Sequence, residues 1–130
     1  MMVIRQKIII RTEVRAHPER LYVFGDNMAR RGYGGQAGEM RGESNAIGVP
    51  TKWRGERDDG AYFTNDDWLN GDVRTAICDA FAQIEEALNE GRDVVIPSDG
   101  LGTGLAELPQ RAPKLHAWIE NRIAYLETKI

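Results

Sequence analysis

Leu21-Tyr-Val-Phe-Gly-Asp-Asn-Met-Ala-Arg-Arg-Gly-Tyr-Gly-Gly-Gln-Ala37 reads as a buried strand, a polar turn and a glycine-rich loop that opens a short helix. Leu21 to Gly25 is a short apolar run, the pattern of an inner strand covered on both faces. Gly25-Asp26-Asn27 ends it with turn chemistry. Gly32, Gly34 and Gly35 follow within four positions, and glycine there lets the backbone take positive φ and lets a ligand come close. Gln36 to Arg41 is expected as a short helix whose first free amides face that ligand, an arrangement that favours phosphate.

The pattern recurs downstream. Asp93-Val-Val-Ile-Pro97 is a second buried strand, followed by Ser98-Asp-Gly-Leu-Gly-Thr-Gly-Leu105. Gly100, Gly102 and Gly104 are more glycine than a strand-to-helix turn requires. One such loop is ordinary turn punctuation; two at the ends of strands point to one anionic ligand held by backbone amides. Neither has the Gly-Lys-Ser/Thr of a P-loop, and the first strand-helix unit lacks a GxGxxG fingerprint.

Around these loops, Val3 to Arg11 with Ile8-Ile-Ile10 predicts a strand, and Thr12 to Arg20 a connection. Asn45 to Pro50 predicts a third strand ended by its proline, and Ala61 to Thr64 a short edge strand. Val73, Ala76, Ile77, Ala80, Phe81, Ile84, Ala87 and Leu88 keep helical spacing. Asp72 is the expected N-cap and Gly91 the C-terminal stop. Leu115, Trp118, Ile119, Ile123 and Leu126 form the stripe of a last helix after Pro109 and Pro113. Strands alternating with helices predict a three-layer α/β/α sandwich with a mixed, mainly parallel sheet. Ligands of such sheets bind beyond the carboxyl ends of the strands, where both glycine loops begin.

Composition narrows the function. The 130 residues fit one domain spanning the whole chain, and 42% hydrophobic residues suffice for a core. A net charge of -3 argues against an extended nucleic-acid partner, which needs a basic stripe, while Arg30, Arg31 and Arg41 cluster near the first loop. Cys78 is the sole cysteine, which excludes an internal disulfide, and its helical place predicts a packed thiol. The short apolar runs predict no membrane partner, the charged start of the chain no secretory leader, and the cytoplasm is the expected location. No metal-ligand spacing, cofactor motif or nucleophile-base pairing stands out. Asp26 is a candidate acceptor for an amino group such as that of adenine, Asn27 for ribose hydroxyls, and Asn45 for either. Trp53 or Tyr33 is a candidate for stacking on a base, with Lys52 neutralising phosphate. Asp26 and Asn27 also read as simple turn caps, and Lys52-Trp53-Arg54 as exposed loop residues.

Val23-Phe-Gly-Asp-Asn27 followed by Gly34-Gly-Gln-Ala37 resembles the first ligand loop of macro domains, and Val94 to Leu105 resembles the second. Asn45 and Pro50-Thr-Lys52 add a likeness to a small macro-like group of phages and bacteria. The resemblance implies a reduced macro-like fold that binds ADP-ribose or a related NAD-derived nucleotide. It places Asn27 on the distal ribose, Gly34, Gly35, Gln36 and Ala37 along that ribose and its phosphate, and Gly102, Thr103, Gly104 and Leu105 around the diphosphate. Gly25, Thr51, Ser98, Asp99 and Gly100 complete the candidate contacts. The usual three glycines are here Tyr33-Gly-Gly-Gln36, and the adenine-reading aspartate of the family has no identifiable counterpart. An alternative is an ADP-ribosyl glycohydrolase acting on protein or nucleic acid, with Asn27 positioning the ribose and Asp26 as base. Asp99-Gly-Leu-Gly-Thr-Gly-Leu-Ala-Glu107 is also similar to the PGGxGTxxE motif of nucleoside-monophosphate phosphoribohydrolases, with its glutamate one residue late. A non-catalytic interaction protein with structural glycine loops is the remaining reading.

Overall fold

A computed structural model describes residues 1–129. Its elements are β1 (Val3–Gln6), α1 (Arg11–Ala16), β2 (Leu21–Asn27), α2 (Ala37–Met40), β3 (Ala46–Lys52), α3 (Gly71–Asn89), β4 (Val94–Pro97), α4 (Leu108–Arg111) and α5 (Pro113–Glu127), with two 3-10 turns between β3 and α3. The four strands form one sheet in the order β1-β4-β2-β3. All three strand pairings are parallel. The sheet is therefore parallel rather than mixed among the described residues, apart from an isolated antiparallel bridge between Lys52 and Tyr62.

Strand alternation sets the layers, because successive side chains point to opposite faces. Leu21, Val23, Val49, Val94 and Ile96 join Val73, Ile77 and Phe81 of α3 and Ile119, Ile123 and Leu126 of α5 in one core. Tyr22, Phe24 and Val95 face the other way, against Val14 of α1 and Ala37 and Met40 of α2. Sheet and two helical coats make the α/β/α sandwich, and the apolar runs of β2 and β4 are buried on both faces. No described helix is long and apolar enough to cross a membrane.

Several local expectations are corrected. β1 stops at Gln6, and of the three isoleucines only Ile9 is buried, packing under α2, while Ile8 and Ile10 stay exposed. Arg11–Ala16 is helical rather than a connection. β3 runs through Pro50 to Lys52, which an edge strand permits because the missing N–H costs no ladder bond on the open side. Ala61 to Thr64 makes only the single bridge at Tyr62. Asn70, not Asp72, caps α3: its Oδ1 accepts from the amides of Asp72 (2.9 Å) and Val73 (3.2 Å). Gly91 does end that helix, with φ +89° and its amide on Leu88 O at 3.0 Å. Cys78 lies on the exposed face of α3, not packed inside. Trp118 is half-buried, stacked at 4.6 Å on Trp68 and edge-on to Phe81.

Candidate functional site

The two glycine loops meet. Gly25, at the end of β2, approaches the second loop so closely that a Cβ there would lie 3.3 Å from the Gly102 amide nitrogen. Leu105 reaches back across the opening, its Cδ1 3.2 Å from where a Cβ of Gly34 would be. Between the loops lies a cleft of about 610 Å³ at the carboxyl ends of β2, β3 and β4. Gly102 holds the junction: its φ is +75° and a Cβ would come within 2.9 Å of Thr51 and 3.0 Å of Leu108, so no side chain fits. Gly104 has open space around it instead.

The walls are rich in unused donors. Among the described residues, the main-chain N–H groups from Arg31 to Ala37 and from Leu101 to Ala106 donate to no protein acceptor. Backbone amides need partners, and successive free amides form an anion-binding concavity. The helices that follow, α2 and α4, have only four residues each, so the attraction comes from the amides and not from a helix dipole. Asp26, Arg31, Arg41, Lys52 and Asp99 are the charged residues of the lining. That is a local cationic excess on a chain of net charge -3, suited to an anion.

Asp26 does not face its expected tasks. Its carboxylate is bound by Arg41 Nη2, by Arg30 Nη1 at 3.1 Å and by the Asn27 amide at 2.8 Å. Its side chain is 3% exposed, and a Cβ on Gly48 would run into it. Both oxygens are occupied by cations, which leaves no basic lone pair for a substrate proton and no free acceptor for adenine. Asp26 is the structural knot that ties the Arg30 and Arg41 segments to the sheet.

Its neighbour Asn27 differs. The side-chain nitrogen of Asn27 donates to Arg31 O at 2.9 Å, while its buried Oδ1 has no partner. The Oε1 of Gln36, also in the lining, is likewise buried and unpaired. Unpaired buried acceptors are costly, and both belong to residues that line the cleft. Across the sheet from Asn27 stands Lys52. It is buried, its Nζ donates to Glu56 O at 2.9 Å, and it lies 4.3 Å from the Tyr62 ring centroid. Arg111 covers the same ring at 3.7 Å. Burial, then the nearby Arg57 charge, lowers the Lys52 pKa, with Glu107 and Glu56 opposing.

The structure brings together Gly25, Asp26, Asn27, Tyr33, Gly34, Gly35, Gln36, Ala37, Thr51, Lys52, Asp99, Gly100, Gly102, Thr103, Gly104 and Leu105. Tyr33 is 71% exposed at the rim. Three expected contacts lie elsewhere. Asn45 sits at the opposite end of β3, where its side-chain nitrogen donates to Val14 O and His17 O and anchors α1. Trp53 packs edge-on against Phe63 at 5.3 Å and lies outside the lining. Ser98 is outside the lining, its amide bonded to Gln6 O at 3.0 Å. Glu107, the acid of the phosphoribohydrolase-like stretch, also lies outside the lining and pairs with Arg111 at 3.3 Å. Thr51 lines the floor, but its hydroxyl is spent on Asp26 O at 3.0 Å. Arg31, Gly32 and Arg41 also belong to the lining; the sequence signals the two arginines only through the basic cluster and Gly32 through the glycine run.

No curated protein and no solved structure matches the chain significantly. The profile of a family of unknown function (DUF7831) matches residues 4–122, and the chain belongs to that family.

Proposed function

We propose that the cleft binds ADP-ribose or a related NAD-derived nucleotide, with the diphosphate held by loop amides. One observation carries the reading: two loops whose main-chain N–H groups have no protein acceptor line one crevice. Such donors match phosphate oxygens, and the unpaired Oδ1 of Asn27 and Oε1 of Gln36 match sugar hydroxyls beside them. Exposed Tyr33 is the ring available for stacking on the base. The volume of about 610 Å³ suits a small molecule, and the cytoplasm, where such nucleotides arise, is the proposed location.

Thermal melts with ADP-ribose, NAD, AMP and inorganic phosphate test this. A ligand at a hundredfold excess over its Kd stabilises by about 2.7 kcal/mol. ADP-ribose is expected to raise Tm most and phosphate least; no shift with any of the four removes the reading. Gly104→Val fills the open space in the cleft wall and is expected to abolish the shift while leaving the unliganded Tm unchanged.

The unpaired Oδ1 of Asn27 also favours a second reading, an ADP-ribosyl glycohydrolase in which Asn27 positions the distal ribose for attack by water. Asp26 has no part in that chemistry as a base, because its oxygens are held by Arg30 and Arg41. Release of ADP-ribose from a modified protein, lost in Asn27→Ala, supports the enzyme; no release by the native chain leaves a binding module.

A further inference from the structure

We propose that Lys52 captures the open-chain aldehyde of a phosphorylated reducing sugar, such as the distal ribose of ADP-ribose, as a reversible imine. The inference rests on the nucleotide reading above. Lys52 is a buried lysine of the cleft floor, 7% exposed. Among the described residues it has no carboxylate partner, and its one hydrogen bond goes to the Glu56 carbonyl. A lysine that served only to neutralise charge inside the fold would face an acid; this one faces an aromatic ring already covered by Arg111. Burial and Arg57 favour its neutral form, and the neutral amine is the nucleophile toward carbonyls.

Position supplies the second half. Lys52 pairs in register with Asn27, whose Oδ1 is free to accept a sugar hydroxyl. A ribose held by Asn27 is then bound at the strand position next to Lys52, within the same cleft. In the step itself, the Nζ lone pair adds to the aldehyde carbon of the ring-opened sugar. The carbonyl oxygen takes up the proton released by nitrogen. The carbinolamine then loses its hydroxyl together with the remaining N–H proton as water while the C=N bond forms. Nothing is oxidised or reduced, and hydrolysis reverses the step.

The test uses the full chain with ADP-ribose and sodium cyanoborohydride, read by intact mass and peptide mapping. NAD, which has no free anomeric carbon, runs in parallel, and melts are recorded with both ligands. The expected result is one adduct on Lys52 that saturates with ADP-ribose concentration. It is absent with NAD and absent in Lys52→Met and Lys52→Arg, whose own melts check their folding. A Tm shift by ADP-ribose without an adduct at Lys52 overturns the imine and leaves the binding reading standing. Labelling of Lys7, Lys114 and Lys129 at the same rate as Lys52 also overturns it. Absence of both shift and adduct overturns the imine and the ADP-ribose reading together.

Discussion

Asp26 and Lys52 lie at the carboxyl ends of neighbouring strands on the same cleft floor, Asp26 one residue before the end of β2; both are buried, and they have opposite fates. Asp26 meets two guanidinium groups and a backbone amide. Lys52 meets one carbonyl and a ring. A buried charge that is fully paired is part of the scaffold, whereas one left without a counter-charge is costly and marks a place where function sets the sequence. The apparent acid/base candidate is thus held in the architecture by two cations, and the apparent loop residue is a buried charge with no carboxylate partner among the described residues.

Substitutions probe that contrast. Asp26→Ala has the largest expected effect, a loss of about 3–5 kcal/mol, because it removes the buried carboxylate that compensates the largely covered Arg41. Urea unfolding measures it, and a loss below about 1 kcal/mol would place Asp26 outside the scaffold. Gly48→Ala drives a methyl into the same carboxylate and is expected to cost about 1–3 kcal/mol by the same measurement. Arg30→Ala removes the more exposed of the two clamps, 43% accessible, so about 0.2–1 kcal/mol is expected. An effect as large as that of Asp26→Ala would show that Arg30, not Arg41, carries the pair.

Lys52→Met is the smallest and the most diagnostic. At neutral pH it is expected to leave stability unchanged or slightly raised, since it keeps the stem against Tyr62 and removes an unpaired charge. The native pKa of Lys52 lies below its ordinary 10.5, so the native state binds fewer protons than the unfolded chain. The penalty is fully present below the native value and is relieved as pH climbs from there toward 10.5. Unfolding of the native chain across that window should show stability gained from this group, and Lys52→Met should lack that gain. Equal slopes in the two proteins would mean that Lys52 is solvated like any surface lysine.

What was legible in the sequence follows from how much pattern each element carries. α3 could be read because seven buried positions keep one helical face over nineteen residues. β2 and β4 could be read because both faces are apolar. α1 has six residues and buries only Val14, too little for periodicity to register. Ile8-Ile-Ile10 carries strand propensity, yet the chain has already left the sheet at Gln6, and tertiary context overrides propensity. The cleft was visible as glycine at two strand ends. Its charge logic was not, because the partners of Asp26 at Arg30 and Arg41, and of Asn45 at Val14 and His17, are chosen by folding and leave no local mark.

The strand order has a consequence for how the chain is made. β4 lies between β1 and β2 and hydrogen-bonds to both, although it comes last among the strands in sequence. While the ribosome is still translating the residues before Val94, β1 has no neighbour to bond with and only β2 and β3 can pair. The amino-terminal strand of the nascent chain waits, exposed, until most of the polypeptide has emerged, and parallel pairing over such separations is slow. Assembly of the sheet is therefore a late event, and a ribosome-stalled fragment ending before β4 is expected to be a ready substrate for chaperones and proteases.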